Sequence, residues 1–163
     1  MAASESGSGA AKRELVITRT FDAPRELVFK AWTEPERLAR WWGPRGFTAP
    51  VCEVDARPGG AIRIHMRGPD GAVYPMTGVF HEIAEPERLV YTSVALEDEE
   101  GGPQLEVLTT VTFAEQNGAT TLTLRAVVVK STPAAAAALD GIEEGWNQSL
   151  DRLAATICEE ETQ

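Results

Sequence analysis

The stretch AIRIHMRGPDGAVYPMTGVF, residues 61–80, decides the architecture. Its centre, Gly68-Pro69-Asp70-Gly71, is a strong turn signal, because Pro and Asp suit the early turn positions and Gly tolerates positive φ. A hairpin closed there pairs Met66 with Tyr74, Ile64 with Met76 and Ile62 with Gly78. That parity is apolar, while Arg63, His65 and Arg67 stand opposite Thr77, Pro75 and Val73 on the other. A sheet with one dry face and one wet face is the expected product.

The same reading extends in both directions. Asn117-Gly118 is the best two-residue hairpin signal in the chain, and it pairs Phe113 with Leu122, Thr112 with Thr123 and Val111 with Leu124. Strands are expected at about 14–21, 48–56, 60–67, 73–83, 88–97, 104–115 and 119–130. The charged loop from Glu97 to Pro103 is a solvated hairpin tip. After the first strand, Asp22 is expected to cap a helix with Pro24 in its first turn, bearing Leu27, Val28, Ala31 and Trp32. A second short helix carries Leu38, Trp41 and Trp42 and stops at Gly43-Pro44. The longest helix follows Ser131-Thr132-Pro133, with Leu139, Ile142, Trp146, Leu150, Leu153 and Ile157 in one apolar stripe. Gly141 and Gly145 weaken its first half by roughly 1 kcal/mol each relative to Ala.

These elements make an α+β domain in which a curved antiparallel sheet of six or seven strands wraps a long C-terminal helix. A concave sheet cannot touch a straight helix along its whole length. The space between is filled by bulky side chains or kept as a cavity.

Composition narrows the function classes. The 163 residues carry 15 basic and 25 acidic side chains, a net charge of -10, which repels phosphate backbones and anionic lipid. Nucleic-acid and membrane partners are therefore not expected, and no apolar run approaches the 18 or so residues of a span. Cys52 and Cys158 form no C-x-x-C pair, which fits a reducing, cytoplasmic setting. The chain reads as a disordered tail at 1–12, one domain at 13–160 and an acidic fray at 161–163.

Four segments carry a family resemblance: DAPRELVFKAWTEPERLARWWGPRGF, RPGGAIRIHMRGPDGAVYPMTGVF, PERLVYT and EEGWNQSLDRLAATI. Together they resemble the family of homologues of the activator of the heat-shock protein 90 ATPase, within the START-like, birch-allergen-like helix-grip superfamily. The resemblance spans about Leu15 to Ile157. It implies a helix-grip fold and, across the superfamily, an apolar pocket beneath the long helix that takes small molecules. The family's name also implies a co-chaperone-like protein-interaction module, with a chaperone as partner, and a third reading is a cyclase- or hydrolase-like enzyme using the same cavity, which needs polar groups converging inside it.

The search for chemistry returns no G-x-G-x-x-G, P-loop, H-E-x-x-H or G-x-S-x-G, so neither a cofactor nor a metal nor a catalytic residue is expected. His65 and His81 read as surface residues, and Asp140, Glu143 and Glu144 as a solvated helix face. The candidate site is instead a cavity lined by Ile64, Met66, Tyr74, Met76, Phe80, Tyr91, Val111, Phe113, Leu124, Ile142, Trp146 and Leu150. Its expected occupant is a small apolar or amphipathic molecule. Trp41 and Trp42 are read as a lid or a partner contact, one of the pair alternatively plugging the core beside Trp32. Leu108, Val127 and Val129, apolar on the outer parity, offer a homodimer contact.

Overall fold

Two turns set the register of the sheet. In the computed structural model, which describes residues 14–97, 103–132 and 140–161, Asn117 and Gly118 both take positive φ, at 56° and 81°. That geometry matches the right-handed twist of the flanking strands, and the ladder pairs Phe113 with Leu122 and Val111 with Leu124. At the other turn, Ala72 N–H donates to the Asp70 carboxylate at 3.0 Å, and Met66 faces Tyr74 while Ile64 faces Met76.

The chain runs β1 (Glu14–Phe21), α1 (Arg25–Thr33), α2 (Pro35–Trp41), β2 (Thr48–Val54), β3 (Ala61–Arg67), β4 (Val73–Ala84), β5 (Arg88–Glu97), β6 (Pro103–Gln116), β7 (Ala119–Ser131) and α3 (Ile142–Glu161). All seven strands form one antiparallel sheet in the order β1-β7-β6-β5-β4-β3-β2. The strands from β2 to β7 make a meander, and β1 joins its far edge beside β7. The expected tail at 1–12, the loop tip at 98–102, the helix entry at Pro133, the first stripe residue Leu139 and the terminal residues 162–163 lie outside the described residues.

One expectation fails at the start of α1. Asp22 does not cap the helix: Pro24 holds the N-cap position in extended geometry, and no side chain within the segment caps it. The carboxylate of Glu115, at the far end of β6, accepts the Arg25 N–H at 2.8 Å instead. An orphan N–H of the first turn is thus satisfied, and a negative charge stands at the helix N-terminus, from 90 residues away in the chain.

The sheet's concave face is covered by all three helices, but unequally. Phe29 and Trp32 of α1 insert between α3 and the inward side chains of β6 and β7, while α2 packs on β2 and sets Trp41 against Trp32. Phe29 and Trp32 meet Phe113 edge to face at 5.3 and 6.4 Å, and Trp32 meets Trp41 at 4.7 Å. The stripe of α3 splits accordingly. Leu150, Leu153 and Ile157 are buried in this cluster, whereas Ile142 and Trp146 are only partly covered.

Candidate functional site

Where the first half of α3 passes over β3 to β6, the apolar face of the sheet is left uncovered and a cavity of about 480 Å³ remains. Its floor is made by Met66 of β3, Tyr74 and Met76 of β4, Tyr91, Ser93 and Ala95 of β5, and Leu105, Val107 and Thr109 of β6. These positions recur at intervals of two along each strand, the period that sends alternate side chains to one face. Its roof is Ile142, Gly145, Trp146 and Ser149 of α3 together with the segment Trp42-Gly43-Pro44 that leaves α2. The mouth opens at Val73 and Tyr74, which are 45% and 40% exposed. Phe47 stands against Tyr74 there, ring centroids 6.0 Å apart.

The roof segment is tied to α3 chiefly by one side chain, with the next residue's N–H, that of Arg45, donating to the Gln148 side-chain carbonyl at 3.1 Å. Arg152 of α3 donates to the carbonyls of Trp42, Gly43 and Pro44 at 3.2, 2.9 and 3.1 Å, and to that of Arg40 at 3.1 Å. A planar guanidinium suits this role, because its donors diverge in a fixed fork, and a cation at the end of α2 also meets the negative end of the helix. Burial lowers the Arg152 pKa from its ordinary value. Gly43 turns the chain here with φ of 101°, and a Cβ on it would meet the Met66 sulfur at 2.9 Å. Beside Arg152 on α3, Asp151 accepts from Arg19 at 2.9 Å and Arg45 at 2.8 Å, and these bonds hold its carboxyl below the usual carboxylate range.

Of the twelve residues expected to line the cavity, Met66, Tyr74, Met76, Tyr91, Ile142 and Trp146 do so. The other six do not. Val111, Phe113, Leu124 and Leu150 are sealed in the core cluster, Phe113 beneath Phe29 and Trp32 of α1. Ile64 and Phe80 border only a void of about 10 Å³ under Trp32 and Trp42. They share the face of the sheet with the lining residues, but another element covers them. Trp41 is fully buried, its indole N–H donating to the Ala31 carbonyl at 2.9 Å, so it is a core residue and neither lid nor partner contact. Trp42 alone of the pair reaches the cavity, where it meets Trp146 edge to face at 5.4 Å.

Leu105, Val107, Thr109, Ser149 and the Gly43-Pro44 segment belong to the site although no sequence pattern marked them for it. The strand residues carry only a parity signal, which they share with every inward position. Gly145 carries a stronger one. A helix glycine within an apolar stripe marks a close approach, and Pro44 packs there, 3.8 Å from where a Cβ would stand.

The chemistry of the lining is simple. Most of its surface is carbon, and the lining residues with polar side-chain groups are Tyr74, Ser93, Thr109, Ser149, Trp42 and Trp146, together with Tyr91, whose hydroxyl is itself enclosed. His65 and His81 lie outside it; His81 contacts the Thr92 hydroxyl on the outer face. Asp140, Glu143 and Glu144 do not line it either, and Asp140 and Glu144 are exposed on the α3 side. No described helix is long and apolar enough to cross a membrane.

Residues 22–157 match the model of the family described as Activator of Hsp90 ATPase homolog 1-like protein. Among solved structures, a protein from Nitrosomonas europaea is similar with a TM-score of 0.78 and 26% identity, over 92% of this chain and 97% of that one. A protein from Chromobacterium violaceum is 31% identical with a TM-score of 0.76, over 88% of this chain and 96% of the other. The AHSA1 protein from Silicibacter pomeroyi is 26% identical with a TM-score of 0.75, over 91% of this chain and 99% of its own. No curated protein matches.

Proposed function

The chain belongs to the Activator of Hsp90 ATPase homolog 1-like family, and we propose that it uses this fold to bind a small apolar or amphipathic molecule, without transforming it, between α3 and the sheet. The cavity itself carries the reading. A space of about 480 Å³, walled mainly by carbon and open at one end, lies within the range of small-molecule sites. A domain that needed only a core would gain stability by closing it, since an unfilled cavity forfeits contacts on every wall. Arg152 fixes the roof segment to α3, and Gly43 lets it close onto Met66 at one edge of the space.

An environment-sensitive apolar dye tests this. It should bind the native protein and quench tryptophan emission, because Trp42 and Trp146 both stand in the wall. Binding should change little with salt, since apolar burial drives it. Met76→Trp should fill part of the space and abolish binding while stability changes by less than about 1 kcal/mol, because added volume is tolerated in a void. A parent protein that binds no dye, joined to a large stability loss in Met76→Trp, would overturn the reading. The protein-interaction module would then take its place, with Trp42 as the first residue to test.

A further inference from the structure

The described residues that line the cavity include no Asp, Glu, Lys, Arg or His. An ion entering it would lose hydration and find no opposite charge, and the net charge of -10 repels anions at a distance. Choice among neutral ligands then falls to the polar side chains of the wall, and most of these offer little. The Tyr91 hydroxyl is enclosed, and Thr109 and Ser149 are only 1% and 5% exposed. Tyr74 stands at the mouth, where water competes for its hydroxyl. Trp42 and Trp146 in the roof carry an indole N–H, which donates but does not accept.

Ser93 differs from all of these. It is an inward position of β5, a strand flanked on both sides, so the part of its side chain that stays exposed faces the cavity. Beyond Cβ that side chain is the hydroxyl alone, and no described residue takes it up in a hydrogen bond. The floor is low around it. Its partner in β4 is Gly78, where a Cβ would stand 2.4 Å from the Thr92 carbonyl oxygen, so the register leaves no side chain to screen Ser93 from that side. Ala95 follows on the same face of β5, and Val107, the partner in β6, presents only carbon. A ligand that covers this hydroxyl takes it out of water, and unless the ligand returns a hydrogen bond the loss lowers affinity.

Resting on the cavity reading above, we propose that the ligand is an uncharged, largely apolar molecule whose carbonyl or hydroxyl oxygen accepts a hydrogen bond from Ser93 on the cavity floor. Naphthalene probes of nearly equal size separate the parts of this proposal: 1- and 2-acetylnaphthalene, their alkene isosteres 1- and 2-isopropenylnaphthalene, and 2-naphthoate. Affinities are read from tryptophan quenching and calorimetry on the full chain at neutral pH. In at least one of the two pairs the ketone should bind about threefold to tenfold more tightly than the alkene, the worth of one hydrogen bond. Ser93→Ala should remove that preference while leaving alkene binding within about twofold of the parent's, and should melt close to the parent, since the hydroxyl deleted bonds to no described residue. Ser93→Cys, near in size and a weak donor, should lose the preference likewise, and covers the case in which the alanine variant fails to fold. Naphthoate should bind at least about tenfold more weakly than the preferred ketone.

Equal binding of ketone and alkene by the parent in both pairs, or a preference that survives in the Ser93 variants, would overturn the Ser93 assignment and leave the cavity reading standing. Naphthoate binding as tightly as the ketones, or more tightly, would overturn the uncharged assignment. If the apolar dye binds and none of these probes does, the ligand class falls alone; if the dye fails as well, the cavity reading falls with it.

Discussion

One face of one sheet ends in two states. Near the turn that joins β6 to β7, the inward residues Val111, Phe113, Leu122 and Leu124 are at most 2% exposed, in one cluster with Phe29 and Trp32 of α1 and the second half of α3. Over β3 to β5 and the first half of β6, Met66, Tyr74, Met76 and Val107 stand on the same dry face but face a cavity. The strands do not make this difference. The covering elements do: α1 and α2 deliver Phe29, Trp32 and Trp41 to one half, whereas the first turns of α3 deliver Gly145 and Ser149 beside Ile142 and Trp146 to the other. An apolar parity marks a face that must leave water. It does not say what fills the space beyond.

The strongest way to break this comparison is to truncate one tryptophan from each half. Trp41→Ala should destabilise by about 3–5 kcal/mol in chemical denaturation, since it removes a fully buried ring and the hydrogen bond to Ala31. Trp146→Ala should cost only about 1–2 kcal/mol, because its ring is partly exposed already and the space left joins an existing cavity. Equal losses at the two sites would mean that the open half is as tightly packed as the filled one.

A smaller effect on stability, with a larger one on binding, is expected at the tie between roof and helix. Arg152→Met should destabilise by about 1–2 kcal/mol, raise amide hydrogen exchange around 42–45 and weaken dye binding. Arg152→Lys should rescue only in part, because a single ammonium cannot reproduce the divergent fork that serves four carbonyls. Unchanged exchange in Arg152→Met would show that the segment is held by its own turn and by Gln148, which accepts the Arg45 N–H.

The smallest effect sharpens the account of the roof. Gly145→Ala should raise stability by about 0.5–1 kcal/mol through helix propensity, since the new methyl would stand in ordinary contact with Pro44. Dye affinity should shift by no more than about threefold, corresponding to less than about 1 kcal/mol. A loss of stability would place Pro44 closer to the helix than 3.8 Å allows.

How much was legible depended on how local the cause was. The turn chemistry at 68–71 and 117–118 set the pairings of two hairpins, because a turn's φ preferences and its register belong to residues a few positions apart. The stripe of the last helix was equally plain, from Ile142 to Ile157, for the same reason. The cap of α1 was not, since the group that accepts the Arg25 N–H is Glu115, and nothing near Asp22 announces it. Trp41 and Trp42 are adjacent and chemically identical, yet one lies in the core and the other at the cavity, according to how α2 seats on the sheet.

Local chemistry in the chain thus settled the elements, their pairing and which side chains leave water, because dihedral preference and periodicity act over a few residues. Packing settled which half of the dry face is filled and which is open. A cavity is the volume left over when several elements distant in sequence come together, and that volume depends on the bulk and angle of every one of them. Val111 and Val107, four positions apart on β6 and of one parity, show the point: Val111 is sealed beneath the helices, whereas Val107 faces the cavity.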